Sequence, residues 1–124
     1  MKSITKVFLV FALASVGCLA GSGVNYKNIQ PQEAAKMLET KEVFLLDVHI
    51  PEQVHIHGTD AFIPHDELEQ YRDKLPKDRD KTILIYCMSG GMSRAAAEQL
   101  VGMGYRNVYN LEGGAMAWRQ AGYL

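Results

Sequence analysis

Apolar residues in this chain cluster in short, nearly unbroken runs, separated by stretches with helical spacing. Val43–Val48 (VFLLDV) and Thr82–Cys87 (TILIYC) have the length and continuity of strands buried on both faces. Residues 106–111 (RNVYNL) supply a third main strand, and Val24–Ile29 (VNYKNI) alternates like a short edge strand. In QPQEAAKMLET, Pro31 suits a first helical position and Glu33 the positive helix start, with Ala34, Ala35 and Leu38 facing inward. Asp66–Pro76 (DELEQYRDKLP) reads as a helix capped by Asp66 and closed by Pro76. SRAAAEQLVGMG predicts a helix ending near Gly102 or Gly104, and GGAMAWRQAGY a last helix ending at Gly122. Ile50–His65 has no clear period and must carry the chain across the sheet, with one short strand at DAFIP. Strands alternating with helices predict an α/β fold: an open parallel sheet of about five strands with helices on both faces.

The 124 residues suit one domain, and the formal net charge of −1 predicts no general affinity for nucleic acid or anionic membrane. The first twenty residues stand apart. Lys2 and Lys6 make a basic start, Val7–Val16 (VFLVFALASV) carries no charge, and Gly17, Cys18, Ala20, Gly21, Ser22 and Gly23 are small. That order is a secretory signal. As a helix, Val7–Ala20 would reach only ~21 Å, short of a ~30 Å hydrocarbon core. SVGC resembles a bacterial lipoprotein signal in which Cys18 is lipidated and becomes the first residue; cleavage after Ala20 is the rival, and both stay open. The predicted organisation is residues 1–20 as signal peptide or lipoprotein signal, 21–28 as a short lead-in and 29–124 as the domain. The protein is expected to be exported, either periplasmic or membrane-anchored on the outer side through Cys18. The mature domain then holds one cysteine, Cys87. A lone thiol in an oxidising compartment is either buried and inert or used chemically.

Cys87 closes the second buried run, and sites in open α/β sheets form outside the carboxyl ends of strands. The loop that follows, Met88, Ser89, Gly90, Gly91, Met92 and Ser93, opens the helix that begins near Arg94. Gly90 and Gly91 allow a backbone curl that turns successive N–H groups inward as an anion nest. Ser93 is a candidate N-cap, and the helix start adds partial positive charge. Both features favour a thiolate, the form that attacks. The competing reading is a buried cysteine beside glycines that serve only a tight turn.

The loop CMSGGMSR resembles the rhodanese-like domain family, whose pattern is Cys, Arg, Ser, Gly, a variable residue, Arg or Met, then Ser and a basic residue. LLDV is similar to the family's Leu-Ile-Asp-Val strand, and PEQ with HIHGTDAFIP to its Pro-Glu and His-Ile-x-Gly segments. NVYNLEGGAMAW is similar to its Leu-x-Gly-Gly-x-x-x-Trp ending. The resemblance runs from about Ile29 to Leu124. It implies a sulfurtransferase without cofactor or metal. Cys87 would take the outer sulfur of a donor such as thiosulfate or a persulfide and pass it to cyanide, a small thiol or a protein acceptor. Met88, Ser89, Gly90, Gly91, Met92, Ser93 and Arg94 would bind the substrate, with the loop amides surrounding the sulfur and the Ser89 and Ser93 hydroxyls as further donors. The alternative is a catalytically weak binding or sulfur-carrier module that docks a partner protein.

Two positions depart from the family pattern. Met88 and Met92 stand where arginines are frequent, which removes two charged donors for an oxyanion. Arg94 could lean back toward the loop or face solvent. The family's Asp-Val-Arg is Asp47-Val48-His49, with His49 expected to be structural. Phosphatases of the same fold class place Arg after five residues beyond the cysteine; Ser93 stands there instead, so the phosphate clamp is missing. His49, His55, His57 and His65 lack a Cys partner or dense carboxylates for a metal, and a structural or solvent-facing role is expected. Asp47 should bond local backbone amides, Asp66, Glu67, Asp78 and Asp80 should cap turns or face water, and Trp118 should anchor the core.

Overall fold

The computed structural model describes residues 25–40 and 42–124; residues 1–20, read above as a secretory or lipoprotein signal, and Cys18 among them lie outside the described residues. Five strands, β1 (Tyr26–Ile29), β2 (Val43–Asp47), β3 (Ala61–Phe62), β4 (Thr82–Tyr86) and β5 (Asn107–Leu111), form one sheet. Their order is β1-β5-β4-β2-β3, and every pairing is parallel. The helices are α1 (Pro31–Leu38), α2 (Gly91–Gly102) and α3 (Gly114–Gln120). The sheet begins inside the expected lead-in, where Tyr26 pairs with Val108.

Alternation along a strand sends successive side chains to opposite faces. In β4, Ile83 and Ile85 meet Ala96, Ala97 and Leu100 of α2, while Leu84 and Tyr86 meet Ala34 of α1 and Ala115 and Trp118 of α3. Both faces are therefore covered, which is why β2 and β4 read as unbroken apolar runs. Each Leu or Ile so buried contributes about 1.5–3 kcal/mol. The edges are blunt: β1 exposes Lys27 and Asn28, and β3 is two residues long. Bonds from Asp60 N–H to Leu45 O, Ile63 N–H to Asp47 O and His65 N–H to Val48 O extend that outer pairing on both sides of β3.

The helix expected over Asp66–Pro76 does not form. The segment runs in turns, with one 3-10 turn at Arg72–Lys74. Leu68 and Leu75 are its only buried apolar residues. Two anchors tie the segment to the sheet but do not make the wide apolar stripe that holds a surface helix down. The chain instead closes short bonds, Lys74 N–H to Tyr71 O and Leu75 N–H to Arg72 O.

Candidate active site

After β2 the chain steps outward to β3; after β4 it steps the other way to β5. The connections diverge at the carboxyl ends of β2 and β4, where Asp47 lies opposite Tyr86. Such a divergence opens the crevice in which α/β sheets bind ligands. Cys87 is the first residue beyond β4 rather than its last, and it is 1% exposed. It is the only cysteine among the described residues and is unpaired.

The loop after Cys87 curls back onto the sulfur. Gly90 has φ +117°, a left-handed conformation that L side chains rarely adopt, and its N–H donates to Cys87 Sγ at 2.9 Å. Gly91 uses no such freedom: it opens α2 with an ordinary helical backbone. Ser93 is not the cap; Gly90 is. Ser93 sits fully buried inside the first turn, and its hydroxyl donates to Gly90 O at 3.2 Å, away from the role expected on the sulfur. Met88 and Ser89 are exposed at the mouth, and Met92 is half-buried against the cluster that holds Cys87. Arg94 does not lean onto the loop: its guanidinium bonds Glu112 at 2.8 Å.

The loop's shape is imposed from across the chain, a contribution the sequence reading misses. The N–H groups of Ala115 and Met116 donate to the carbonyls of Cys87 and Met88 at 2.9 and 3.0 Å. In a planar trans peptide the C=O and N–H point opposite ways, so the amides of Met88 and Ser89 are turned away from α3. This approach requires Gly114, because a Cβ there would lie 2.5 Å from both carbonyl oxygens. A glycine pair opening a helix, where alanine would form helix better, is the sequence signal that could have disclosed it.

Asp47 is fully buried at the end of β2. As expected it takes a local amide, His49 N–H at 3.0 Å, but it also accepts from Gln53 Nε2 and, at 2.7 Å, from His55 Nδ1. The other ring nitrogen of His55 reaches Glu52 at 2.7 Å. Burial pulls the His55 imidazolium down, but the hydrogen bonds to Asp47 and Glu52, and then their charges, outweigh it and hold the ring above its ordinary 6.5. Tyr86 accepts the Ile56 N–H at 2.9 Å and lies 2.7 Å from the Thr59 hydroxyl; burial pushes its phenol well up. These bonds seat the aperiodic segment after β2 beside the crevice. Among the described residues no cluster of three metal-ligating side chains occurs. A cavity of about 600 Å³, lined by Leu38, Val43, Leu45, Trp118 and Tyr123 among others, belongs to the α1 and α3 face and does not include the Cys87 loop.

Residues 30–121 match the rhodanese-like domain family. An uncharacterized protein of Synechocystis sp. is 36% identical over 106 residues, 84% of this chain and 58% of its own length, so the chain spans little more than half of that relative. Thiosulfate sulfurtransferase GlpE of Tolumonas auensis is 32% identical over 96 residues, 76% of this chain and 89% of its own. Among solved structures, a rhodanese-related protein from Thermoplasma volcanium superposes with a TM-score of 0.68 at 29% identity, covering 80% of this chain and 96% of that one. A NAD-dependent persulfide reductase from A. fulgidus gives 0.60 at 32% identity, over 85% of this chain and 18% of the reductase. The chain belongs to the rhodanese-like domain family, with that family's five-stranded parallel α/β architecture.

Proposed function

We propose that the protein is a sulfurtransferase that carries sulfane sulfur on Cys87. The observation that carries this reading is the thiol at the mouth of the β2–β4 crevice, with its Sγ accepting the Gly90 N–H at 2.9 Å. In the first step the Cys87 thiolate attacks the outer sulfur of a donor such as thiosulfate or a persulfide. A new S–S bond forms at Sγ; the donor's S–S bond breaks, and its electron pair leaves on sulfite or on a thiolate. In the second step an acceptor, cyanide or a small or protein thiol, takes the outer sulfur and Cys87 departs as thiolate. The Gly90 amide is placed to hydrogen-bond the anionic sulfur at either end of the cycle. The relatives named thiosulfate sulfurtransferase and persulfide reductase support chemistry of this kind.

A second reading, a catalytically weak binding or sulfur-carrier module, draws on the 1% exposure of Cys87. Cys87→Ser tests both, because serine cannot form a persulfide. After thiosulfate or polysulfide treatment the wild-type protein should gain the mass of sulfur and the variant should not, with its fold retained by circular dichroism. Sulfur transfer to cyanide at the native rate by the variant would show that another group is the nucleophile. A wild-type protein that gains no sulfur from either reagent would favour the binding module.

The proposal extends to location. The basic, apolar and small-residue order of residues 1–20 supports export, ending in the periplasm or tethered on the outer side through lipidated Cys18. The intact mass of the mature protein separates cleavage after Ala20 from lipid on Cys18.

A further inference from the structure

The following inference rests on Cys87 as sulfur carrier and concerns what loads it. The geometry points to a persulfide borne on an apolar thiol as the sulfur donor, in preference to an oxyanion such as thiosulfate. Thiosulfate presents three oxygens and two negative charges, which call for charged hydrogen-bond donors at the mouth. The loop Met88–Ser93 contains no basic residue. The hydroxyl of Ser93 is directed to Gly90 O. Arg94, the basic residue next to the loop, is neutralised by Glu112 at 2.8 Å, which also brings a carboxylate to the turn supporting the loop. Arg119, further along α3, donates to Val54 O at 2.8 Å.

The mouth offers soft apolar surface instead. Met88 is 39% exposed and Met116 50% exposed, and the bond from Met116 N–H to Met88 O sets the two residues side by side. Val54, 79% exposed, is held to the same helix by Arg119. Thioethers are polarizable and accommodate sulfur and apolar groups. A persulfide R–S–S–H suits this surface. The Cys87 thiolate attacks the terminal sulfur, the Sγ–S bond forms and the donor's S–S bond breaks. The electron pair and, after proton transfer, the proton leave on R–SH, so the step needs no external oxidant or reductant. The group R rests on Met88 and Met116. It can belong to a small thiol or to a cysteine of a protein.

The test compares three donors on the full mature chain: thiosulfate, the persulfide of N-acetylcysteamine, and a persulfidated cysteine peptide with apolar flanks. Loading of Cys87 is read by intact mass, and kcat/KM for each donor is divided by that donor's rate constant with free cysteine, which removes intrinsic reactivity. Both persulfides should exceed thiosulfate on this scale, and the faster of the two identifies the source. Met88→Arg supplies one charged donor and should raise thiosulfate use about tenfold or more relative to the persulfides. Glu112→Gln, which releases Arg94, should shift the ratio in the same direction, and Met116→Ala should lower persulfide use alone. Thiosulfate equalling the persulfides in the wild type, with a ratio insensitive to Met88→Arg, overturns the donor assignment while leaving Cys87 as carrier. Failure of every donor to load Cys87 overturns the sulfurtransferase reading itself.

Discussion

Gly114→Ala should damage the Cys87 loop more than the fold. A Cβ at residue 114 would lie 2.5 Å from Cys87 O and from Met88 O, and 2.6 Å from the Met88 carbonyl carbon. All three atoms are backbone, so no side chain can swing aside. The position also has φ +61°. An L residue in that region costs about 1–2 kcal/mol, and forced displacement in a close-packed site costs about 1–3 kcal/mol more. The sum is about 2–5 kcal/mol. Gly122→Ala separates the two contributions. Gly122 has φ +95° but nothing within 4 Å of a built Cβ, so only the backbone strain should appear there. Urea midpoints should therefore place Gly114→Ala below Gly122→Ala. The larger effect should fall on sulfur loading of Cys87. Pushing α3 away breaks the hydrogen bonds that the Ala115 and Met116 N–H groups donate to the Cys87 and Met88 carbonyls and that shape the loop. A misplacement of about 1 Å in a reacting group can cost about a hundredfold in rate. Gly114→Ala with the stability of Gly122→Ala and a native loading rate would refute the claim that α3 shapes the loop.

The His55 cluster gives a pH dependence with a definite sign. The folded-state value of His55 is raised above 6.5, so the stabilisation by its protonated ring is fully present below pH 6.5 and is lost as pH rises through the folded value. Urea midpoints should fall over that window, and Glu52→Gln should shrink the fall; an identical slope in the variant would remove His55 as its source. Trp118 is buried at 6% exposure and stacks on Tyr123 with centroids 4.6 Å apart, so Trp118→Ala should cost about 3–5 kcal/mol by denaturant melts. Trp118→Phe should cost distinctly less, because the indole N–H is buried with no protein partner to lose; equal losses would point to a bond that the structure does not show.

Much of this fold is legible in the sequence because β2 and β4 are buried on both faces, which leaves an apolar residue at nearly every position. Cys87 is legible for a related reason: it follows the buried run directly and is followed by Gly90, whose positive φ the loop needs. The misreadings share a different cause. Asp66–Pro76 carries good helix formers, but its fate depends on how few of its side chains reach the sheet. Ser93 is a sound N-cap by type, yet the carbonyl it serves lies at Gly90 because the helix starts earlier than its composition suggests. The roles of Gly114 and Glu112 depend on contacts with Cys87, Met88 and Arg94, all distant along the chain. Local propensity carries no information about such partners.

The same distinction explains how a loop without charged side chains keeps its form. The contacts that set its path are made by the backbone or by a buried group: the Gly90 amide on Sγ, the Ala115 and Met116 amides on the two carbonyls, and the Ser93 hydroxyl on Gly90 O. None of them uses the side chain of Met88 or Ser89, both of which face solvent. The curl is therefore held by groups that every residue possesses, together with Gly90, Gly114 and Ser93. The side chain of residue 88 takes no part in holding the curl, which is what lets it act on the donor in the proposed reading. An arginine at residue 88 would add charge at the entrance without removing a bond that positions Sγ. If Cys87 carries sulfur as proposed, the placement of its Sγ and the choice of donor rest on different atoms of the same short loop.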